Sequence, residues 1–180
     1  GLVYLTGRAD AGVDVRLLTN SLEATDVPVV HGGYAPYRKA LLEHGVKLFE
    51  LRRQPGSTGG SGPHLFKTSL SSDSSLHSKA MIFDQQKSFI GSFNFDPRSG
   101  LWNTEVGVLV DSPALAAQAR ELALQGMSPA LSYQPVLREG TIVWQTEDNG
   151  QLHTLKREPG NWWRQLNAWF SKRVGLEKML

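Results

Sequence analysis

Cysteine is absent from the 180 residues, which excludes a disulfide framework and any thiolate metal site. That absence leaves the redox compartment unread. No apolar run approaches the roughly 20 residues needed to span a bilayer, and no signal peptide is visible. The chain opens Gly1-Leu2-Val3-Tyr4-Leu5 without an initiator Met. It reads as a piece of a longer protein, so missing targeting signals say little about the parent. A large charge excess is also lacking. Nineteen Lys and Arg against seventeen Asp and Glu give a formal net charge of +2, far from the dense basic stripes of a dedicated nucleic-acid binder. The mildly basic balance suits an anionic partner without naming one.

What is present is ordinary for a soluble globular fold: 40% hydrophobic and 20% charged residues, in a chain long enough for one domain with a real core. Residues 13–18 alternate and are rich in β-formers, predicting a strand that ends in turn chemistry at Thr19-Asn20-Ser21. Tyr34, Tyr37, Leu41 and Leu42 follow helical spacing between Gly33 and His44, and Gly45 supplies the stop. Residues 46–51 read as a second strand. This strand–helix–strand order implies a right-handed crossover and a mainly parallel sheet.

Residues 54–75 are rich in Gly, Ser and Pro and read as a long loop, a length usually functional or disordered inside a domain. Three apolar stretches follow, at 80–83, 88–91 and 106–110, and predict central strands. Ser112-Pro113 caps and starts a helix running to about Leu124. Residues 131–137 and 141–145 form a small antiparallel pair around Glu139-Gly140. Residues 161–180 predict a helix with Trp162, Leu166, Trp169, Phe170 and Val174 apolar and Arg164, Lys172 and Arg173 basic. That stripe suits either a membrane interface or packing on the core with its cations in water. The expected fold class is therefore α/β: a mixed, mostly parallel sheet flanked by helices. Residues 1–130 make the main unit and 131–180 a C-terminal hairpin-plus-helix extension packed on it.

The chemistry gathers at Leu76-His77-Ser78-Lys79-Ala80-Met81-Ile82-Phe83-Asp84. His77 and Lys79 lie two apart at the entry to an apolar strand, so they share one face. A neutral imidazole can attack phosphorus and hold a covalent intermediate. An ammonium beside it neutralises charge on the non-bridging oxygens. Acyl transfer would call for a Gly-x-Ser-x-Gly elbow, and none is present. With five His, eight Lys and eight Asp in 180 residues, His-x-Lys-x₄-Asp is expected by chance about 0.01 times, rare enough to weigh once the structural context agrees. Next along the chain, Gly91-Ser92-Phe93-Asn94 permits close backbone approach and offers the neutral groups of Ser92 and Asn94 to a phosphate. Glu105, in Asn103-Thr104-Glu105, could hold Nδ1 of His77 and leave Nε2 free to attack. Taken singly, Ser92 and Asn94 would be turn residues, Glu105 a solvated strand end, and His77 with Lys79 a wet surface strand. The set raises each.

His77, Lys79 and Asp84, then Gly91-Ser92-Phe93-Asn94, then Glu105, resemble the H-K-D motif of the phospholipase D superfamily. The longer string from Gly91 to Ser99, followed by Asn103-Thr104-Glu105, is similar to the second catalytic half of bacterial cardiolipin synthases, particularly the C-type branch. Thr19-Asn20-Ser21-Leu22, Thr25-Asp26 and the helix with Tyr34, Tyr37 and Arg38 share that likeness. The resemblance covers nearly the whole chain. It is strongest from Leu76 to Asp111 and weakest in residues 54–75 and the tail.

The resemblance implies a phospholipase D-like half whose partner half meets it face to face. One histidine forms a phosphohistidine, and the other protonates the leaving group and then deprotonates the acceptor, with no metal or other cofactor. By this likeness Lys79 and Asn94 hold phosphate, Ser92 assists, Glu105 orients His77, and Asp84 supports the motif structurally. His77, in a second half, falls to the general acid/base role. Only one H-K-D motif is present, since the histidines at 31, 44, 64 and 153 have no Lys two residues on. The active site thus needs an upstream H-K-D half or a second copy of the chain, and second-half features favour the former.

The implied activity is phosphatidyl transfer, making cardiolipin from phosphatidylglycerol and a second phospholipid such as phosphatidylethanolamine. The implied location is peripheral, on the bacterial inner membrane. The same site could instead hydrolyse a lipid or DNA phosphodiester, although the modest charge argues against nucleic acid. A non-enzymatic half with a vestigial motif is the third reading, and the intact set argues against it. Arg98 and Trp102 suit a lipid head group or acyl chain, or a turn arginine stacked on an aromatic. His64 and Lys67 suit the mouth of the site, or a mobile polar loop.

Overall fold

The computed structural model describes residues 1–25, 28–53, 76, 79–94, 99 and 101–160, with backbone alone for 28–30. The expected loop at 54–75 and the expected aromatic helix at 161–180 lie outside the described residues, as do His77 and Arg98.

The chain begins with α1 (Leu2–Asp10), a helix the sequence reading did not assign. Its Leu2, Leu5 and Ala9 recur at helical spacing and pack against the buried cluster of Leu41, Val46 and Leu48. β1 (Arg16–Asn20) follows, two to three residues downstream of its expected position. Thr19 and Asn20 are not a turn. They continue the strand and pair with Glu50 and Leu51 of β2 (Lys47–Leu51). Between these strands the expected single helix is broken into α2 (Pro28–Tyr34), a 3₁₀ turn (Ala35–Tyr37) and α3 (Arg38–Glu43). Pro36 explains the break, because its ring and missing N–H disrupt the hydrogen-bond ladder behind it. The stop is as expected. Gly45 takes φ +81°, its N–H donates to Leu42 O and that of Val46 to Leu41 O, a Schellman cap.

β3 (Lys79–Phe83), β4 (Lys87–Gly91) and β5 (Gly107–Asp111) form one antiparallel three-stranded sheet. α4 (Pro113–Gly126) starts where expected, with Ser112 Oγ accepting from the Leu115 N–H at 3.3 Å. Then come β6 (Ser132–Arg138), β7 (Thr141–Asp148) and β8 (Gln151–Leu155). The expected hairpin is thus a three-stranded meander. Glu139-Gly140 and Asn149-Gly150 both take positive φ, as tight two-residue hairpin turns require. β6 also pairs with β2, giving a five-stranded sheet in the order β1-β2-β6-β7-β8.

The fold class is α/β, as expected, with one correction to the finer expectation. Only β1 and β2 are parallel, and every other described pair is antiparallel. Parallel pairing needs a crossover segment, and α2–α3 between β1 and β2 provides one. β3–β4, β6–β7 and β7–β8 are joined instead by short turns.

A buried polar cluster ties the larger sheet to its helices and to the segment after β8. Arg38 Nε lies 2.7 Å from Glu50 Oε1, both side chains within 4% of full burial. Trp144 of β7 donates its indole N–H to Glu50 Oε2 at 3.0 Å. Arg38 also bonds Glu158, whose Oε1 meets His31 Nε2 at 2.5 Å, and its guanidinium lies over the rings of Tyr34 and Trp144. Burial pushes the Glu50 carboxyl up against the pull of Arg38. Burial also acts to raise Glu158, but the hydrogen bonds from His31 and Arg38 win and hold it at about 2. A depressed carboxyl stabilises the fold above its unfolded value, and the gain is lost as pH falls through the folded one. Glu158→Gln is therefore expected to cost on the order of 2 kcal/mol near pH 7. The gap in melting temperature from the parent should close as pH drops from about 4.5 to about 2, measured by fluorescence melts across that window. A gap that stays constant with pH would show that the charge of Glu158 is not what stabilises.

Candidate active site at the end of the three-stranded sheet

The site is built on one row of the smaller sheet. Lys79 opens β3 and pairs with Gly91 at the end of β4, which pairs with Gly107 at the start of β5. Two glycines beside the lysine leave the backbone bare, and the space is already used. A Cβ on Gly91 would stand 2.5 Å from the Val106 carbonyl oxygen, and one on Gly107 2.3 Å from the tip of the Phe89 ring. The close approach of β4 and β5 here depends on those two residues.

Just past β4, Ser92 clasps the strand that leads into β5. Its backbone N–H donates to Val106 O at 2.9 Å, and its Oγ accepts the Val106 N–H at 3.0 Å. The hydroxyl proton goes to Glu105 Oε2. Ser92 thus extends the β4–β5 ladder by one residue and aims the Glu105 carboxylate. Ser99, 5% exposed, takes the Asn94 N–H on its Oγ at 3.2 Å and also bonds Glu105. The Glu105 carboxyl is held below the usual carboxylate range, first by the Ser92 hydrogen bond, then by those of Ser99 and Asn103, with the Lys79 charge contributing. These side chains line an open cleft of about 750 Å³, formed by Lys79, Ser92, Asn94, Trp102, Asn103, Thr104 and Glu105.

Four of the six residues singled out from sequence, Lys79, Ser92, Asn94 and Glu105, come together in this cleft. Asp84 does not. It lies in the turn at the other end of the β3–β4 hairpin, directly after Phe83, roughly 15 Å along the strand from Lys79. Asp84 and Gln85 take φ 50° and 58° there, and the Gln86 N–H returns to Phe83 O at 2.9 Å. Left-handed backbone is one that Asp tolerates better than most residues. His77 falls outside the described residues, but its neighbour Leu76 does not. Leu76 is held by the side chain of Asn20 from the end of β1.

Ser99, Asn103, Thr104 and Asn20 were given no role from sequence. Ser99 and Asn103 stand inside the string that carries the resemblance, which was the available signal. Asn20 also stands in a string that shares the resemblance, but nothing local names its partner, which lies 56 residues away. Among the described residues no three His, Asp or Glu side chains gather as metal ligands.

An ammonium, an amide and a carboxylate thus converge at the bare end of a hairpin. The chain belongs to the phospholipase D-like family: the family model described as "Cardiolipin synthase, PLD-like domain" matches residues 5–125. Over its whole length it is 38% identical to cardiolipin synthase C of Escherichia coli (strain K12), covering 38% of that protein. Over 82% of its length it is 35% identical to an uncharacterized protein of Helicobacter pylori (strain J99), covering 28% of it. Over 69% it is 29% identical to cardiolipin synthase A of Pseudomonas aeruginosa, covering 21%. The chain therefore spans well under half the length of these relatives. No solved structure matches it.

If the Ser92 hydroxyl sets the protonation of Glu105, Ser92→Ala should raise the Glu105 pKa, because the lost hydrogen bond favoured the charged form. A carbon-13 titration of the Glu105 carboxyl checks this. An unmoved titration would assign the shift to Ser99, Asn103 and Lys79 instead.

Proposed function

We propose that this chain is the second half of a phospholipase D-type transphosphatidylase that makes cardiolipin. The observation carrying the proposal is the cleft in which Lys79, Asn94 and the hydrogen-bonded Glu105 converge, in a chain related over its full length to a protein named cardiolipin synthase C. On this reading Lys79 and Asn94 hold the diester phosphate, and Ser92 assists from the position where it fixes Glu105. Glu105 orients His77. The histidine of the partner half attacks phosphorus, and the P–O bond to the departing glycerol or ethanolamine breaks. His77 gives the leaving oxygen its proton, leaving a phosphatidyl-histidine on the partner half. His77 then takes the proton from a hydroxyl of phosphatidylglycerol, whose oxygen attacks phosphorus and frees the partner histidine. An upstream H-K-D half, or else a second copy of the chain, completes the site. Asp84 keeps the hairpin turned, and no cofactor is called on.

The test is mass spectrometry of lipids from phosphatidylglycerol vesicles, with and without phosphatidylethanolamine, incubated with this chain joined to an upstream H-K-D half. Cardiolipin should form and fall by about a hundredfold to ten-thousandfold in His77→Ala, as loss of a general acid/base does. Phosphatidic acid in place of cardiolipin would mean that water is the acceptor. Equal behaviour of the parent and His77→Ala would end the proposal.

The location proposed is a peripheral one on the bacterial inner membrane. No described helix is long and apolar enough to cross a membrane. Trp102 of the cleft, however, is 81% exposed and its chain neighbour Leu101 75%, and an indole and an aliphatic chain suit the interface between head groups and acyl chains. The double change Leu101→Ser, Trp102→Ser should weaken turnover on vesicles by about tenfold or more, in line with the loss of two buried apolar side chains. Turnover of a short-chain soluble analogue should stay within about twofold of the parent. Equal losses on both substrates would place the pair in the site rather than on the surface.

A further inference from the structure

The side chain of Asn20 holds Leu76 by both backbone groups. Asn20 Oδ1 accepts the Leu76 N–H at 2.7 Å, and Asn20 Nδ2 donates to the Leu76 carbonyl at 3.1 Å. A carboxamide has one acceptor and one donor side by side, so it presents what a neighbouring strand would present to this residue. Asn20 itself is fixed, because it ends β1 and pairs with Leu51 of β2, and the next N–H, of Ser21, donates to Leu51 O at 3.0 Å. The contact therefore links the larger sheet to the peptide that leads into β3. Leu76 is joined directly to His77 in the chain and stands three residues before Lys79.

We propose that Asn20 is a positioning residue for the active-site strand: by gripping both polar groups of Leu76 it anchors the chain just ahead of β3, and with it the placement of Lys79. The inference rests on the transferase reading above for its kinetic consequence and on geometry alone for the anchoring itself. Asp in its place would keep the acceptor for the Leu76 N–H and lose the donor. Ala would lose both, and the Leu76 groups would turn to water. Bonds that orient reacting groups cost rate rather than substrate affinity when broken, typically by about 10–100-fold.

The experiment compares the parent, Asn20→Asp and Asn20→Ala in two measurements. In the two-half enzyme, Asn20→Ala should lower kcat on phosphatidylglycerol vesicles by about 10–100-fold, with KM within about threefold. Asn20→Asp should fall between Asn20→Ala and the parent. In this chain alone, amide hydrogen exchange should speed up at Leu76 and at Lys79 to Met81 in Asn20→Ala, while exchange in β6 and β7 and the melting temperature stay close to the parent's. Unchanged exchange at Leu76 would overturn the anchoring. So would a kcat within twofold of the parent, or a loss shared by KM, kcat and overall stability, which is what a merely structural residue would give. A parent enzyme with no lipid turnover would defeat the transferase reading, and the exchange measurement would then decide the anchoring by itself.

Discussion

The ion pair between Arg38 and Glu50 is the constraint around which the larger sheet is assembled. Glu50 is fully buried near the end of β2 and Arg38 nearly so at the start of α3. A charge withdrawn from water is costly unless it is paired and its remaining hydrogen-bonding capacity is filled. Here the filling comes from three separate places in the chain: the indole of Trp144 on β7, the carboxylate of Glu158 after β8, and the faces of Tyr34 and Trp144 on the guanidinium. Each partner is useful only if its element is docked. A pair of this kind adds little net stability over an apolar isostere, but it penalises arrangements in which one partner is missing. It thereby holds α2, α3, β2 and the meander in one register.

That register is what gives the site its second support. β1 lies alongside β2 and ends at Asn20, and Asn20 reaches the peptide before β3. The smaller sheet supplies the rest through its pleat. Lys79, Gly91 and Gly107 form a single row, and the bare glycines let Val106 and Ser92 close the ladder beside the lysine. Ser92 then uses both properties of a hydroxyl at once, accepting from a backbone N–H and donating to Glu105. The Ser92 hydroxyl orients that carboxylate, and Ser99 and Asn103 beside it favour its charged form. A site that must present a charged group in a fixed orientation is better served by such an anchored carboxylate than by a flexible acid at a strand end.

Much of this was legible beforehand, and the boundary falls on physical lines. The strands expected at 80–83, 88–91 and 106–110 were visible to within a residue because apolar stretches stand between turn signals, although they make a separate antiparallel sheet rather than the centre of a parallel one. α4 was visible from Ser112-Pro113, and the first hairpin of the meander from Glu139-Gly140. Lys79, Ser92, Asn94 and Glu105 could be grouped in advance because they fall at strand ends within one motif-like string, and they do line one cleft. What was missed depends on distant partners. β8 is exposed at all five positions, so no alternation marks it, and only pairing with β7 makes it a strand. α1 contains Gly7 and the β-branched Val3, and it is helical because Leu2, Leu5 and Ala9 find the core. The sheet was expected to be mostly parallel because one crossover was generalised to strands that short turns join. Asn20 was read as turn chemistry, a fair reading of Thr-Asn-Ser in isolation, because nothing nearby announces an amide whose partner is 56 residues on.

The electrostatics of the cleft bear on how such a half would work. Its described ionisable side chains are one ammonium, Lys79, and one carboxylate, Glu105, kept charged by its donors. Their formal charges cancel. A phosphodiester brings a full negative charge, and the five-coordinate species formed on attack gathers more on its non-bridging oxygens. Stabilising that charge calls for positive groups aimed at the oxygens rather than a neutral pair. Glu105 cannot be that group, and its own charge works against anion binding unless it is spent on a cation. An imidazolium is the natural recipient, because a carboxylate beside it both orients the ring and favours its protonated form. On the transferase reading, a His77 protonated against Glu105 adds a second positive charge beside that of Lys79 for the phosphate. A matching lysine from a second H-K-D half would then bring the site to the charge that the reaction demands.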